Sequence, residues 1–327
     1  MTGTMAVMRR LARLVVVVMA VAVLSWLLVE AAPGSPGERA ARAAGVLPPD
    51  DAGVSEALRA RLIEQVVREH DLDRSLPVRI AGYLGGLVRL DFGRSWRDGE
   101  PVAGRLAEAL APTVFLVGTA LLLALLLGLG AALLSARRPG GPLDLGLAGL
   151  AALALALPPV WVAIAALRLL AAGQPWHLLP AAGLDSAAAA VLPLLTLALV
   201  PGFVIARHAR AALIDALDAP WTIAARARGA SRWRVVAVHG LRVALPAVAP
   251  LVVVLTAYLL GATVVIEQVF AIRGLGSLLV DAAARGDAPV VVGVSVVAAA
   301  LLALVSALVD LGAVRLDPRL REDGGRG

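Results

Sequence analysis

Between Arg207 and Pro246 the chain reads RHARAALIDALDAPWTIAARARGASRWRVVAVHGLRVALP, with seven arginines and no lysine set between two long apolar runs. A segment this basic at a membrane edge belongs on the cytoplasmic side. Within it, Asp218 is placed to cap a short helix from about Ala219 to Arg228, with Pro220 in the first turn and Gly229 free to take the left-handed conformation that ends it. Ser231 can cap the helix that follows. Alanines at 219, 224, 225 and 227 leave a slim backbone able to enter a groove on a partner, flanked by Trp221, with Arg226 and Arg228 at the rim. The competing reading is anchorage to anionic lipid headgroups through the arginines. Interfacial helices need bulky apolar faces, and here that side carries alanine, which favours a protein partner.

A second constellation lies further on. Glu267 and Gln268 close an apolar run, and Phe270, Arg273, Gly274 and Gly276 lead into a short helix expected over 277–284. An acid beside two glycines and an aromatic at that depth describes a candidate outer gate, with the helix dipping back into the membrane. Irregular backbone there is tolerated only against protein or a water-filled cavity. The plainer reading of Glu267 is an interface marker at a helix end.

Other chemistry is sparse. The chain has no cysteine, which removes disulfides, thiolate metal sites and cysteine nucleophiles. His70, His177, His208 and His239 fall in different segments without ligand spacing, so no metal site is expected. No lysine occurs anywhere, hence no phosphate-binding Walker lysine on this chain. Ser25, Ser135, Ser295 and Ser306 have no histidine within a span to activate them, which argues against an intramembrane protease.

The elements that must hold these groups are membrane helices. Apolar residues make up 60% of the chain and the mean hydropathy is +0.85, far above a soluble domain. Charge-free runs extend from Arg13 to Glu30, Glu108 to Arg137, Asp144 to Arg168, Asp185 to Arg207, Arg242 to Glu267 and Asp287 to Asp310. A helix needs about 20 apolar residues to cross the hydrocarbon. Five runs qualify outright. The first, preceded by Arg9, Arg10 and Arg13, competes with a cleaved signal peptide, and a retained span extended to about Ala32 is the preferred reading, giving six. Pro158 and Pro159 in the third span, and Pro193 and Pro201 in the fourth, are expected to kink helices along a pathway.

Six spans place the arginines at 9, 10, 13, 137 and 138, those of the 207–242 loop and those of the tail on one face, with both termini cytoplasmic. The net charge of +6 then reflects loop asymmetry and contact with anionic lipid, not nucleic acid. Residues 33–108 form an extracytoplasmic insert too polar to span. It holds a helix over 55–69 capped by Ser55 and an interfacial helix around Tyr83 to Leu90. A solvated spacer is the alternative. The domain order is thus 1–32 with the first span, 33–108 the insert, 109–314 the remaining spans with the basic loop, and 315–327 a tail.

The order LDRSLPVRIAGYLGGLVRLDFGRSW, RLAEALAPTVFLVGTALLLALLLGLGAAL, LALPPVWVAI, the arginine-rich loop, EQVFAIRGLGSLLVDAAARGDAPVVVGVSVV and LVDLGAVRLDPRLR resembles the oligopeptide, dipeptide and nickel type permease subunits of ABC importers, from about Arg9 to Arg321. Its most specific part, APWTIAARARGASRWRVVAVHGLRVALP, is similar to the signature loop of binding-protein-dependent permeases, with Ala224, Ala225, Gly229 and Pro246 at the recurring positions. Trp221 and Val243 depart from that pattern. The resemblance implies an all-α permease of six spans, type I ABC importer-like, that transports peptides or a related small solute and is not an enzyme. It implies as partners a second permease subunit, two ATPase subunits carrying ATP and Mg, and an external substrate-binding protein, with no cofactor on this chain. The rival readings are a membrane scaffold or signalling protein that binds a cytoplasmic partner through the same loop, and the intramembrane enzyme already weighed.

Overall fold

The computed structural model describes residues 2–48, 55–171, 176, 178–217, 219, 222, 227–229, 231 and 240–316. Its regular elements are helices, and the chain divides into two compact units, one of residues 1–113 and 273–304 and one of 114–272 and 305–327.

The first unit opens with α1 (Thr2–Glu30), whose apolar stretch from Ala12 to Glu30 is long enough to span. Ala22 and Trp26 of α1 are buried in the unit's core, so this helix is part of the packed structure. The polar insert that follows is helical. α2 (Pro36–Ala43) begins with a capping box: Ser35 Oγ accepts from the Glu38 N–H at 3.2 Å and Glu38 Oε2 accepts from the Ser35 N–H at 3.0 Å. α3 (Glu56–Glu69) is capped by Ser55 as its sequence predicts, at 3.4 Å from the Leu58 N–H. The interfacial helix expected around Tyr83 to Leu90 starts earlier and stops sooner, as α4 (Leu76–Leu87). Pro77 sets its first turn. Its end is closed by Gly86, whose carbonyl accepts from the N–H groups of Arg89 and Asp91 while Leu90 sits at φ 60°.

A buried carboxylate from far along the chain ties down the loop after α4. Asp287 is 2% exposed; its Oδ2 accepts from Ser95 Oγ at 2.5 Å and its Oδ1 from the Trp96 N–H at 3.0 Å. The contact joins positions nearly two hundred residues apart in sequence. It lies where α10 (Leu275–Arg285), ended by Gly286 at φ 77°, hands over to α11 (Ala288–Leu316). Val102, Leu106 and Ala109 pack with Leu275, Ala282, Val290 and Val294 in the same unit.

α5 (Val102–Ser135) carries the chain from the first unit into the second, 34 residues or roughly 50 Å at 1.5 Å per residue. The third apolar run is not one continuous helix. It is broken into α6 (Pro142–Ala156) and α7 (Pro159–Leu170), bent by 105°. A residue before proline is pushed out of the helical region, and here two in succession are: Leu157 lies at ψ 125° and Pro158 at ψ 138°. Among the described residues, five helices are long and apolar enough to cross a membrane, or six if the bent pair counts as one span.

α8 (Ala187–Leu217) is the most deeply buried of the spans and the axis of the second unit. It keeps Pro193 and Pro201 inside a continuous helix. At one point α5 and α8 touch backbone to backbone: a Cβ on Gly128 would fall 2.6 Å from the Gly202 carbonyl oxygen and 2.9 Å from Ile205. Small residues allow such approaches between membrane helices. α9 (Leu241–Val269), with Pro246 and Pro250 inside, packs on α8 through Ala244, Val248, Leu255 and Leu259.

Removing the Asp287 carboxylate strands a buried hydroxyl and a buried N–H. Asp287→Ala is expected to destabilise the chain by about 3 kcal/mol, read as a lowered thermal transition in detergent, whereas a transition within a degree of wild type would show that this carboxylate does not hold the loop.

Candidate functional site: the basic loop, its support and the outer turn

The basic segment does not begin as a loop. α8 continues past the end of the apolar run to Leu217, so Arg207, His208 and Arg210 stand on a helical extension. The reason is a stripe of buried residues at helical spacing, Ile205, Ala209, Leu213 and Ala216, which keeps one face of the extension packed. Arg210 leaves the extension to meet Asp144 in the first turn of α6. Arg210 Nε lies 2.5 Å from Asp144 Oδ1 and Nη2 2.5 Å from Oδ2, a two-pronged pair, and the Gly140 N–H donates to Oδ2 at 2.8 Å. The Asp144 side chain is 5% exposed and that of Arg210 34%, so the carboxylate is the buried partner.

α8 ends at a second polar fixture. Thr222 is buried, and its Oγ1 donates toward the carbonyls of Leu217 and Ala219 at 2.8 and 2.6 Å, covering acceptors that a helix end leaves unmatched. Neither Asp144 nor Thr222 was singled out by the sequence. Asp144 served there only as the boundary of an apolar run, although a lone acid between two such runs is itself a signal.

Of the residues expected to grip a partner, Ala219, Ala227, Arg228 and Gly229 are described. Ala219 is half-buried at a bend, Arg228 and Gly229 are exposed in a turn, and Gly229 has φ 86°, the left-handed conformation. Among the described residues, its chain neighbours aside, nothing lies within 4 Å of where a Gly229 Cβ would stand, and the positive φ itself strains any side chain there. Trp221, Ala224, Ala225 and Arg226, with the expected caps Asp218 and Pro220, lie outside the described residues, as does the helix expected after Ser231.

The candidate gate residues fall in both units. In the second, Glu267 is fully buried near the end of α9 and Phe270 is 1% exposed. Burial of this kind does not suit an acid marking an exposed interface. The Glu267 carbonyl accepts from the Ile272 N–H at 2.8 Å, the Phe270 carbonyl from the Gly183 N–H at 2.9 Å, and Ala271 between them sits at φ 52°. In the first, Gly274 precedes α10 with its N–H on Ser277 Oγ at 2.9 Å, and Gly276 is buried in the first turn. Thr113 Oγ1 accepts from the Leu275 N–H at 2.8 Å. The short helix expected over 277–284 is this α10, longer by two residues at its start and one at its end. Among the described residues no group of three or more histidine or acidic side chains is placed to hold a metal ion.

Residues 115–322 match the family of binding-protein-dependent transport system inner membrane components. The chain is 32% identical to the glutathione transport system permease protein GsiC of Salmonella typhimurium, over 96% of this chain and 98% of the relative. It is 29% identical to the oligopeptide transport system permease protein AppB of Bacillus subtilis, with the same coverage of 96% and 98%. The fold is similar to that of the methionine ABC transporter MetNI in an inward-facing conformation, with a TM-score of 0.54 at 22% identity, covering 65% of this chain and 96% of that one. The chain belongs to the inner membrane components of binding-protein-dependent transport systems. It is a multi-pass membrane permease subunit that works with a binding protein and an ATPase rather than as an enzyme, and the type I importer-like helical fold read from its sequence is the one observed.

The Asp144–Arg210 pair predicts a particular pattern. Arg210→Gln strands a buried carboxylate and is expected to cost about 2 kcal/mol, less than a fully buried pair because Arg210 is one-third exposed. Adding Asp144→Asn removes that charge and should restore most of the loss. Thermal unfolding of the two single variants and the double variant checks this, and strictly additive losses would contradict it.

Proposed function

We propose that the chain lines the translocation path of a peptide importer together with a second permease subunit, and that two ATPase subunits drive it through the 219–229 segment. The observation that carries this reading is the unbroken α8. A single helix runs from the centre of the second unit to the edge of the basic segment, and it is tied to α6 by the Arg210–Asp144 pair just before it ends. A push on the segment therefore reaches two spans at once. Rigid elements with few joints are what convert a local movement into alternating access.

The peptide class is supported by relatives that transport oligopeptides and glutathione. ATP and Mg are assigned to the partner ATPases, since this chain has no lysine for a Walker site. The basic segment, the 137–138 arginines and both termini are assigned to the cytoplasm, and residues 33–108 to the outer side, where the substrate-binding protein docks. Glu267, Phe270, Gly274 and Gly276 are assigned to the outer turn that closes the path.

Two measurements test this. Reporter fusions should place the C-terminus, and a fusion in the 207–242 segment, in the cytoplasm; an externally active fusion at either place overturns the orientation. In vesicles holding the assembled transporter, Ala225→Glu is expected to abolish ATP-driven peptide uptake and ATPase capture while the chain still inserts, because a charge enters a close contact. Gly229→Val should act through the backbone, since a β-branched residue resists positive φ. Normal uptake and ATPase capture in Ala225→Glu would remove the segment from the coupling role.

A further inference from the structure

In the second unit, α6 stands off from its neighbours along most of its length. Asp144 near its start and Ala154 near its end are its buried residues. Between them lies a cavity of about 350 Å3 walled by α5, α6 and α8, within the range of roughly 300–1,000 Å3 that small ligands occupy. α6 lines it from Asp144 to Leu155, with the small Ala148, Ala151 and Ala152 in the middle, and α8 faces them with Phe203, Ala206 and Arg207. The space is not sealed, since Ala148, Ala152 and Arg207 in its wall are exposed.

The cavity has an apolar body and one polar end. Its polar side chains, Ser135, Asp144, Arg207 and Arg210, gather where α8 leaves its charge-free run. Charged groups keep to the edge of the hydrocarbon, so the cavity straddles that edge with its apolar part inside. Along α6 it extends from Asp144 to Leu155, roughly 16 Å at 1.5 Å per residue. That is about half of a hydrocarbon core roughly 30 Å thick, the depth of one leaflet. Water does not fill an apolar gap, and an empty gap forfeits the dispersion contacts of its walls. A hydrocarbon chain suits the body of the cavity.

At the polar end the charges do not cancel. Asp144 is taken by Arg210 in the two-pronged pair, and no other acid lines the cavity. Arg207 lines the same end and, among the described residues, has no ion-pair or hydrogen-bond partner. Arg138, exposed just past Ser135, is likewise without one among them. The next acid on α8, Asp215, lies roughly 12 Å further along the axis, past the Debye length of about 8 Å at physiological salt. A surplus cation at the mouth of a leaflet-deep apolar slot calls for an amphiphile with an anionic head. We propose that this cavity holds an acyl chain of an anionic phospholipid, its phosphate against Arg207 and Arg138 adding to the field. A helix of a second permease also suits small residues, but it has to bring an acid to Arg207 as well as an apolar face, whereas a lipid carries both. The site does not depend on what is transported; its assignment to the cytoplasmic leaflet rests on the orientation proposed above.

The full chain alone and the assembled transporter, each in detergent, are titrated with phosphatidylglycerol and with phosphatidylcholine of the same chains, and bound lipid is counted by native mass spectrometry. The first phosphatidylglycerol on each permease chain is expected to bind at least about fivefold more tightly than phosphatidylcholine, the factor that one arginine near an anionic head contributes. Arg207→Gln, an exposed change that leaves the Arg210–Asp144 pair in place, should abolish that preference without moving the thermal transition. Ala148→Phe, which fills the slot, should weaken both lipids. Millimolar inorganic phosphate should not displace the lipid, which separates a phospholipid site from one for a free anion. Equal binding of the two lipids, an unchanged preference in Arg207→Gln, wild-type binding in a folded Ala148→Phe sample or displacement by phosphate overturns the proposal. So does a site present on the lone chain but lost in the assembled transporter, which would give the cavity to the second permease.

Discussion

A carboxylate carried into a membrane protein's packed interior has to be matched, and in this chain the match between Asp144 and Arg210 decides how the second unit is put together. Asp144 sits in the first turn of α6 beside a chain reversal at Gly140 and Gly141, and without its two-pronged partner it would be a buried, uncompensated charge. Satisfying it fixes α6 against α8, and because Arg210 lies beyond the apolar part of α8, it also requires the helix to continue that far. The extension then delivers the chain to the basic segment at a defined point, where Thr222 covers the last carbonyls.

The apolar solvent imposes the other constraint, that backbone groups be satisfied within the fold. The prolines show how context decides whether this can be met. Pro193 and Pro201 in α8, and Pro246 and Pro250 in α9, sit within continuous helices. Pro158 and Pro159 are adjacent, so two consecutive residues are driven to extended conformations and the helix turns by 105°. All six prolines were visible in the sequence. What could not be read was the size of the bend, because one proline kinks a helix and a neighbouring pair ends it.

Much of the architecture was legible because lipid demands long apolar runs and little else produces them. The helical class, the spans, the cap at Ser55 and the left-handed Gly229 all follow from local chemistry that residue types reveal. The helical extension of α8 was also present, in the spacing of Ile205, Ala209, Leu213 and Ala216, but the density of arginine drew it toward a loop. The capping box of Ser35 and Glu38 was similarly readable and passed over. Long-range pairs were not legible: nothing in sequence joins Asp144 to Arg210, Glu30 to Arg79 or Ser95 to Asp287, because each depends on how separate helices pack. Glu267 belongs to the same class. Its position at the end of an apolar run suggested exposure, and tertiary packing buried it.

We propose a mechanical coupling in which an ATPase takes hold of this permease at the segment after α8 and α8 carries the movement inward. The absence of cysteine from the whole chain makes this directly measurable, since a single introduced thiol is unique. Ala225→Cys in the assembled transporter, treated with a short thiol-to-amine cross-linker, should join the chain to an ATPase subunit in high yield, with Ser55→Cys as the control that does not. A cross-link to the ATPase from Ser55→Cys and none from Ala225→Cys would contradict the account.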